Sequence, residues 1–285
     1  MSVHLVAMYP SFLNAEQQEQ FERKGYVIFP SLLNANEVDA LASLFAKHQN
    51  EYNGFFATTH FSKDVAYKKL VHDTITQVVF PKAAPHLNNF TSLFANFMIK
   101  NPDSENAMDL HADWCYVDEA AYHTVSIWVP LIDVNEENGC LGIIEGSHKV
   151  TNTIRGPLIR QTHRVYEPRW IRKYGKLLPM KAGDAIFYNH ALLHYSPPNK
   201  TNTVRPAINL SVAPAAAPVI HYCIPEGTNE IEVYRVPNTD FFIHYNHFQK
   251  PETNTLTKTL PSSTVQYMDE RMKWFGLKRL LNRLG

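Results

Sequence analysis

The chain has few cysteines, no net charge and no long hydrophobic run. Its 285 residues include only three cysteines, Cys115, Cys140 and Cys223. Their odd number and their spacing predict neither a disulfide framework nor a structural zinc site, and a reducing compartment suits them. The 27 basic residues balance 27 acidic ones. This balance offers no overall argument for nucleic acid or an anionic membrane surface as a partner.

Membrane and secretory signals are also missing from the sequence. No stretch approaches the roughly 20 apolar residues of a membrane-spanning helix. Residues 1–10 lack the basic start and the apolar centre of a signal peptide. We therefore expect no membrane span and a cytoplasmic location. Because 45% of the residues are hydrophobic, the chain can bury a large core, and we predict one domain over residues 1–285.

The apolar pattern changes from helical to β-like along the chain. Helical spacing behind asparagine caps predicts helices at 15–24 and 35–49, with a strand at 26–30 between them. From residue 94 onward, short segments rich in β-branched and aromatic residues alternate with turn residues, which is typical of a jelly-roll barrel. These segments predict strands at 94–99, 124–129, 140–144, 185–188, 207–212 and 241–245.

The predicted organisation has three parts. Helical support covers about 10–90, the barrel core about 94–248, and an amphipathic C-terminal helix about 265–284. Residues 151–180 interrupt the strands as an irregular stretch. The terminal helix could be a lid, a dimer contact or ordinary packing, and the sequence leaves the oligomeric state open.

The tripeptide His111-Ala112-Asp113 is the strongest chemical signal in the chain. On a β-strand, residues i and i+2 project from one face, so His111 and Asp113 can bind one metal ion. His194, at the end of a strand-like run that follows the Gly183-Asp184 turn, can supply a third ligand. Two histidines and one carboxylate leave coordination positions open, as in non-haem Fe(II) oxygenases. Each residue alone is more commonly structural, but the joint pattern favours a metal site.

Three segments around these ligands resemble the phytanoyl-CoA dioxygenase family of Fe(II)/2-oxoglutarate-dependent oxygenases. They are residues 13–30, residues 128–148 with the Gly146-Ser147-His148 motif, and residues 183–205. The usual proline before that motif is replaced by Glu145. The resemblance covers most of the chain and implies a mainly β fold with flanking helices. That fold is a double-stranded β-helix, the jelly-roll barrel also found in cupins.

The resemblance also implies site residues and a reaction. Iron would be bound by His111, Asp113 and His194. The cosubstrate 2-oxoglutarate would be converted to succinate and CO2 as O2 is consumed and an unactivated carbon is hydroxylated, with ascorbate stimulating turnover. A carboxylate at Asp113 favours hydroxylation, because related halogenating members have a small residue there. The cosubstrate contacts implied are Arg205 and Ser196 on the distal carboxylate, Trp128 in the pocket wall, and Asn96 or Phe97, with Asn96 taken as the contact.

Several neighbouring residues have ordinary alternatives. His190 precedes His194 by four residues and could be mistaken for the ligand. The family places its metal histidine 11 residues before the arginine, so we interpret His190 as a supporting or packed residue. Trp114 and Tyr116 could shape the substrate pocket, although aromatic residues beside a β-core are more often packing.

The segment 155–176 is strongly basic and predicts how a substrate is recognised. A basic lid there would attract a carboxylate, a phosphate or an acidic carrier protein, whereas a solvated loop is an equally common alternative. We therefore expect a small-molecule or carrier-linked acyl or aminoacyl substrate. The competing functions are a catalytically silent jelly-roll protein that binds or regulates, and a cupin with another ligand set. The basic residues are Arg155, Arg160, Arg164, Arg169, Arg172, Lys173 and Lys176, of which Arg160 and Arg164 are the proposed substrate contacts.

Overall fold

The computed structural model describes residues 8–51, 56–102, 107–151, 154–157, 159, 167–244, 255–261 and 263–264. The helices in these ranges are α1 (Ala15–Lys24), α2 (Ala35–Lys47), α3 (Val65–Ala83), α4 (Glu167–Tyr174) and α5 (Phe241–His244). None of these helices is long and apolar enough to cross a bilayer. The strands are β1 (Tyr26–Phe29), β2 (Phe56–Thr58), β3 (Phe90–Lys100), β4 (Met108–His111), β5 (Val125–Pro130), β6 (Leu141–Ile144), β7 (Gly175–Leu178), β8 (Ala185–Asn189), β9 (His194–Ser196), β10 (Arg205–Pro214), β11 (Ile220–Cys223), β12 (Glu230–Arg235) and β13 (Leu256–Pro261).

Two antiparallel sheets form the jelly roll. The larger sheet has the strand order β1-β8-β5-β10-β3-β2, and the smaller one has the order β4-β9-β6-β7. Neighbouring strands in each sheet are distant in sequence, as in a double-stranded β-helix. A separate three-stranded sheet is made by β11, β12 and β13.

Alternation along the strands decides which side chains reach the space between the sheets. In β10, Ile208 and Leu210 pack with the helices on the outer face of the larger sheet. Asn209 and Ser211 point the opposite way, into a cavity between the sheets, because successive strand residues face opposite sides. The outer face is covered by apolar residues of α2 and α3, such as Leu41.

The smaller sheet closes the barrel from the other side. Leu141 and Ile143 of β6 pack against Trp128 of β5 and Ile186 of β8. The opposite face of the smaller sheet packs against Trp170 of α4. The order of layers is therefore helices, larger sheet, smaller sheet and α4.

Local signals at helix ends match the predicted start and end of α1 and the predicted start of α2. The Asn14 side chain accepts a hydrogen bond from the Gln17 N–H, and α1 ends at Gly25 with a φ of 87°, a left-handed conformation that glycine adopts easily. Asn34 and Glu37 form a reciprocal capping box at the start of α2. Helix α2 ends at Lys47 rather than at residue 49, where a 3-10 turn begins.

Two of the predicted structural assignments were wrong. Residues 241–244 form α5 rather than a strand, because the Asp240 carbonyl accepts a hydrogen bond from the His244 N–H and Phe242 packs into an aromatic cluster with Phe94. The stretch 151–180 is not uniformly irregular, since it contains α4 and β7. The terminal helix predicted at 265–284 lies outside the described residues, and the division into a single domain stays a prediction.

Helix α3 was not predicted individually, although the sequence carries a signal for it. Its buried residues Val71, Ile75 and Val79 recur every fourth position and follow the N-cap Asp64. Pro81 in the last turn makes the segment look less helical than it is. This helix matters for the cavities described below because its first turns lie at the edge of the larger sheet.

Candidate metal centre and adjoining cavities

His111, Asp113 and His194 meet between the two sheets. The Asp113 Oδ1 atom lies 3.6 Å from His194 Nε2 and 3.9 Å from His111 Nε2. Each of the three residues offers one ligand atom, and these atoms lie within 4.8 Å of one another. Among the described residues this is the one such group of histidine, cysteine and carboxylate side chains. The distances suit a shared metal ion, while the role of the residues as ligands stays a prediction.

The backbone brings these residues together differently from the predicted arrangement. His111 is the last residue of β4, so Asp113 lies beyond the strand instead of two positions along it. His194 is the first residue of β9, and a turn separates it from β8, which ends at Asn189. The two histidines are paired across β4 and β9. Strand pairing therefore positions His111 and His194, and the loop after β4 positions Asp113.

Backbone carbonyl groups orient both histidine rings. His111 Nδ1 lies 2.7 Å from the Asp109 carbonyl oxygen, and His194 Nδ1 lies 3.0 Å from the Leu192 carbonyl oxygen. A carbonyl oxygen only accepts, so Nδ1 of each ring carries the proton. Nε2 of each ring then presents a lone pair towards Asp113, as metal-binding histidines usually do.

Two hydroxyl groups contact the Asp113 carboxylate. Its Oδ2 atom accepts a hydrogen bond from the Tyr188 hydroxyl at 3.0 Å and lies 3.2 Å from the Ser126 hydroxyl oxygen. Oδ1 is left facing the histidines. Burial alone would raise the pKa of Asp113, but nearby His194, then His190 and His111, and the hydrogen bond from Tyr188 lower it to about 2. The carboxylate is therefore ionised at neutral pH and available to a cation.

His190 lies behind the triad rather than in it. Its Nε2 atom is 2.9 Å from Ser126 Oγ, and its Nδ1 atom is 2.8 Å from the Trp114 carbonyl oxygen. Burial lowers the pKa of His190. Both ring nitrogens are thus engaged, and the ring reaches Asp113 only through Ser126. This placement agrees with the interpretation of His190 as a supporting residue.

A cavity of about 110 Å³ runs from the triad to Arg205. Arg205 is 3% exposed, its Nε atom has no hydrogen-bond partner, and one terminal nitrogen donates to the Met98 carbonyl at 3.2 Å. Burial lowers the pKa of Arg205 to about 10. None of the ion pairs within the described ranges involves it. A buried guanidinium with unused donors fits a carboxylate ligand. The cavity lining includes His111, His194, Ser196, Trp128, Tyr188 and Arg205.

Lys100 is a second basic residue beside Arg205, and no local pattern in the sequence signals its role. The two residues are cross-strand partners in β3 and β10. The Lys100 ammonium donates to the carbonyl oxygens of Ser196, at 3.2 Å, and Pro197. Burial, together with the charge of Arg205, lowers the pKa of Lys100 to about 7. The far end of the small cavity is therefore electropositive.

A larger cavity of about 430 Å³ lies on the other side of the triad. Such a volume is typical of small-molecule sites. Asn96 faces this cavity, whereas Phe97 packs towards the helices. Asn96 and Asn209 are cross-strand partners, and their buried Oδ1 atoms have no hydrogen-bond partner. The lining also includes His111, Asp113, Trp114, Tyr116, Tyr188, His190, Ser211 and His60.

The basic segment is only partly a surface feature. Arg160 and Arg164 lie outside the described residues. Arg155 was predicted as part of a basic lid, which is wrong, because its guanidinium forms a buried bidentate pair with Glu119 at 2.6 and 2.8 Å. Its Nε atom also donates to the Asp113 carbonyl at 2.6 Å. Arg155 therefore anchors the loop that carries Asp113, and no local pattern in the sequence signals this pairing.

Comparisons with known proteins match the chain to dioxygenases. The family model described as "Phytanoyl-CoA dioxygenase (PhyH)" matches residues 21–207. "Phytanoyl-CoA dioxygenase 1" of Oryza sativa subsp. japonica is 25% identical over 252 residues, covering 70% of this chain and 89% of the relative. The peroxisomal phytanoyl-CoA dioxygenase of Homo sapiens is 24% identical over 253 residues, covering 76% of this chain and 72% of the relative.

Solved structures share the fold. The α-ketoglutarate-dependent carbocyclase SnoK from nogalamycin biosynthesis superposes with a TM-score of 0.52 at 21% identity, covering 73% of this chain and 86% of SnoK. HygX from Streptomyces hygroscopicus, with nickel and 2-oxoglutarate bound, gives a TM-score of 0.52 at 16% identity, covering 72% of this chain and 88% of HygX. Because the family model spans more than half of the sequence, the chain belongs to the phytanoyl-CoA dioxygenase family of iron- and 2-oxoglutarate-dependent oxygenases.

Proposed function

We propose that this protein hydroxylates an unactivated carbon of a small-molecule or carrier-linked acyl or aminoacyl substrate. The reaction would consume O2 and convert 2-oxoglutarate to succinate and CO2. The observation that carries this proposal is that two cavities of different character meet at one triad. The smaller cavity ends at Arg205, which forms no ion pair with the described residues. The larger cavity has room for a second molecule, and His111 and Tyr188 line both.

Nε2 of His111, Nε2 of His194 and Oδ1 of Asp113 would hold Fe(II). When bound, iron supplies the redox chemistry that activates dioxygen. The Tyr188 hydroxyl donates to Asp113 Oδ2, so the carboxylate would present Oδ1 to the metal. The retained carboxylate ligand supports hydroxylation rather than halogenation.

Arg205 and Ser196 would hold the distal carboxylate of 2-oxoglutarate, and Trp128 would form a wall of that pocket. The basic residue Lys100 beside Arg205 supports an anionic ligand. Both metal histidines line the small cavity, so one end of such a ligand can reach the metal. Asn96 and Asp113 both line the larger cavity. From this position Asn96 would contact the end of 2-oxoglutarate that lies at the metal. Ascorbate is expected to stimulate turnover.

A small molecule is the substrate class that the larger cavity supports best. Trp114, Tyr116 and Asn209 give it apolar walls with a few polar groups, as is usual for small-molecule sites. The epimerase SnoN has been solved with Fe3+, α-ketoglutarate and nogalamycin RO, so a related fold binds a small molecule.

We propose a cytoplasmic location and no nucleic-acid partner. The human and bovine relatives are peroxisomal by name, so a fluorescent fusion should test the compartment.

Anaerobic absorption spectroscopy tests the proposal against a catalytically silent jelly-roll protein. Fe(II) and 2-oxoglutarate together should give the weak visible metal-to-ligand charge-transfer band of a chelated oxoacid. His111→Ala and His194→Ala should abolish the band, whereas His244→Ala, at an exposed position in α5, should retain it. A normal band in either triad variant would remove that histidine from the ligand set. Absence of the band from the unaltered protein would favour the silent alternative.

A further inference from the structure

Lys68 is a buried cation that the proposed reaction does not use. It lies in the second turn of α3 and is 7% exposed. Over the residue ranges that the structure describes, no hydrogen bond or ion pair reaches its ammonium group, and burial lowers its pKa. Charged lysines are rarely buried unless they are paired, because an unpaired charge is costly away from water. The Lys68 Nζ atom keeps some accessible surface, so a ligand can reach it, and its positive charge favours an anion.

Lys68 lines a small void at the edge of the larger sheet. The void has a volume of about 10 Å³, which is room for one water-sized atom. His72, another wall residue, accepts a hydrogen bond at Nδ1 from the Ala95 N–H at 3.0 Å, and burial lowers the pKa of the ring. The neutral ring then carries its proton on Nε2, where it can donate. No carboxylate among the described residues lines the void, whose described walls are Thr59, His60, Lys68, His72, Phe94, Ala95, Asn96, Phe242 and Ile243.

The void adjoins the large cavity beside the metal triad. His60, Phe94 and Asn96 line both spaces. Burial, together with the charge of Lys68, lowers the pKa of His60 to about 3, so this ring is neutral. The buried Oδ1 atom of Asn96 has no hydrogen-bond partner. Lys68 lines the small void rather than the large cavity, so its positive charge lies next to this end of the cavity.

We propose that Lys68 recognises a carboxylate group carried by the substrate of the iron centre. This inference rests on the proposed function and narrows its substrate class to organic acids that reach from Lys68 to the triad. A planar carboxylate can direct a single oxygen into a void of one-atom size. A tetrahedral phosphate would need more room at the mouth of the void for its other oxygens, so the carboxylate is the better fit.

Calorimetric titration of a probe series tests the site. The protein is loaded with Ni(II) in place of Fe(II) and with saturating 2-oxoglutarate, so that Arg205 is occupied and no turnover follows. The probes are butanoate, hexanoate and octanoate, each compared with its neutral primary amide. At least one acid should bind about tenfold to a hundredfold more tightly than its amide, as expected for a charge-assisted hydrogen bond.

Two substitutions make the test specific. Lys68→Met should remove the preference for the acid, whereas Lys69→Met should keep it, since Lys69 is exposed and pairs with Asp73 at 2.8 Å. Lys68→Gln, which retains polarity, should behave like Lys68→Met and provides a second variant if the first folds poorly. Equal binding of acids and amides, no binding of any probe, or an unchanged preference in both Lys68 variants would overturn the proposal.

Stability gives a readout that needs no ligand. Because Lys68→Met removes an unpaired and partly desolvated charge, it should raise the melting temperature of the ligand-free protein relative to Lys69→Met. A large decrease would mean that Lys68 has a partner within the chain, which contradicts the proposal.

The charge-transfer band with Fe(II) and 2-oxoglutarate separates the hypothesis of a Lys68 carboxylate site from the proposed oxygenase function. If the band forms and the acid preference is absent, only the Lys68 site fails. If the band is absent while the preference is present, the proposed function fails.

Discussion

The pair Arg155–Glu119 joins the loop after β4 to a segment that lies 36 residues further along the chain. The Arg155 guanidinium donates to both Glu119 carboxylate oxygens, at 2.8 and 2.6 Å, and its Nε atom donates to the Asp113 carbonyl at 2.6 Å. The two side chains are 2% and 3% exposed. We predict that this clamp contributes strongly to folding and also holds Asp113 in position.

The size of the loss in stability depends on the burial of the two charged groups. Removal of one partner leaves an uncompensated charge in the interior, which costs roughly 3–5 kcal/mol. Arg155→Met also loses the hydrogen bond to the Asp113 carbonyl, about 1 kcal/mol more. Replacement of both partners, as in Arg155→Met with Glu119→Leu, removes both charges, and such apolar replacements are often close to neutral. The double variant should therefore be more stable than either single variant.

Urea unfolding of the metal-free protein, followed by tryptophan fluorescence, measures these differences in the free energy of unfolding. A control is the exposed pair Lys181–Asp133, whose atoms are 2.7 Å apart and whose side chains are 79% and 60% exposed. Lys181→Met should cost less than about 1 kcal/mol. The reasoning is refuted if Arg155→Met costs no more than Lys181→Met, or if the effects of the two clamp substitutions simply add.

Three other predictions concern the cavities. Arg205→Ala should raise the 2-oxoglutarate concentration needed for turnover about tenfold to a hundredfold, since a charge-assisted hydrogen bond contributes about 1.5–3 kcal/mol; an unchanged dependence argues against this contact. Asp113→Gly should sharply reduce hydroxylation because iron loses an anionic ligand, and full activity would contradict the triad. The pKa of Lys100 is lowered from 10.5 to about 7 on folding, so between these values the unfolded chain binds the extra proton and stability rises with pH. Lys100→Met should flatten this rise in ligand-free unfolding experiments, and parallel pH profiles would show that Lys100 does not titrate in this way.

Much of the fold follows from local patterns in the sequence. The caps Asn14 and Asn34 and the apolar spacing behind them predicted α1 and α2, because a helix end depends on residues within one turn. The β-rich segments after residue 94 predicted most strands of the larger sheet. Local propensity misled at 241–244, where aromatic residues typical of strands form α5 under the influence of the preceding Asp240 and of aromatic packing.

Some properties of the candidate site were predictable from the sequence, and others depended on the tertiary structure. The sequence by itself determined the residue types at His111, Asp113, His194 and Arg205, and their spacing predicted that they would converge. Only the tertiary structure decided that strand pairing positions the histidines and that the Tyr188 hydroxyl orients the Asp113 carboxylate. It also decided that Arg155 is a buried clamp, and that Lys68 and Lys100 are buried cations beside the cavities. These properties depend on contacts between residues far apart in the chain, and no periodicity or short motif encodes such contacts.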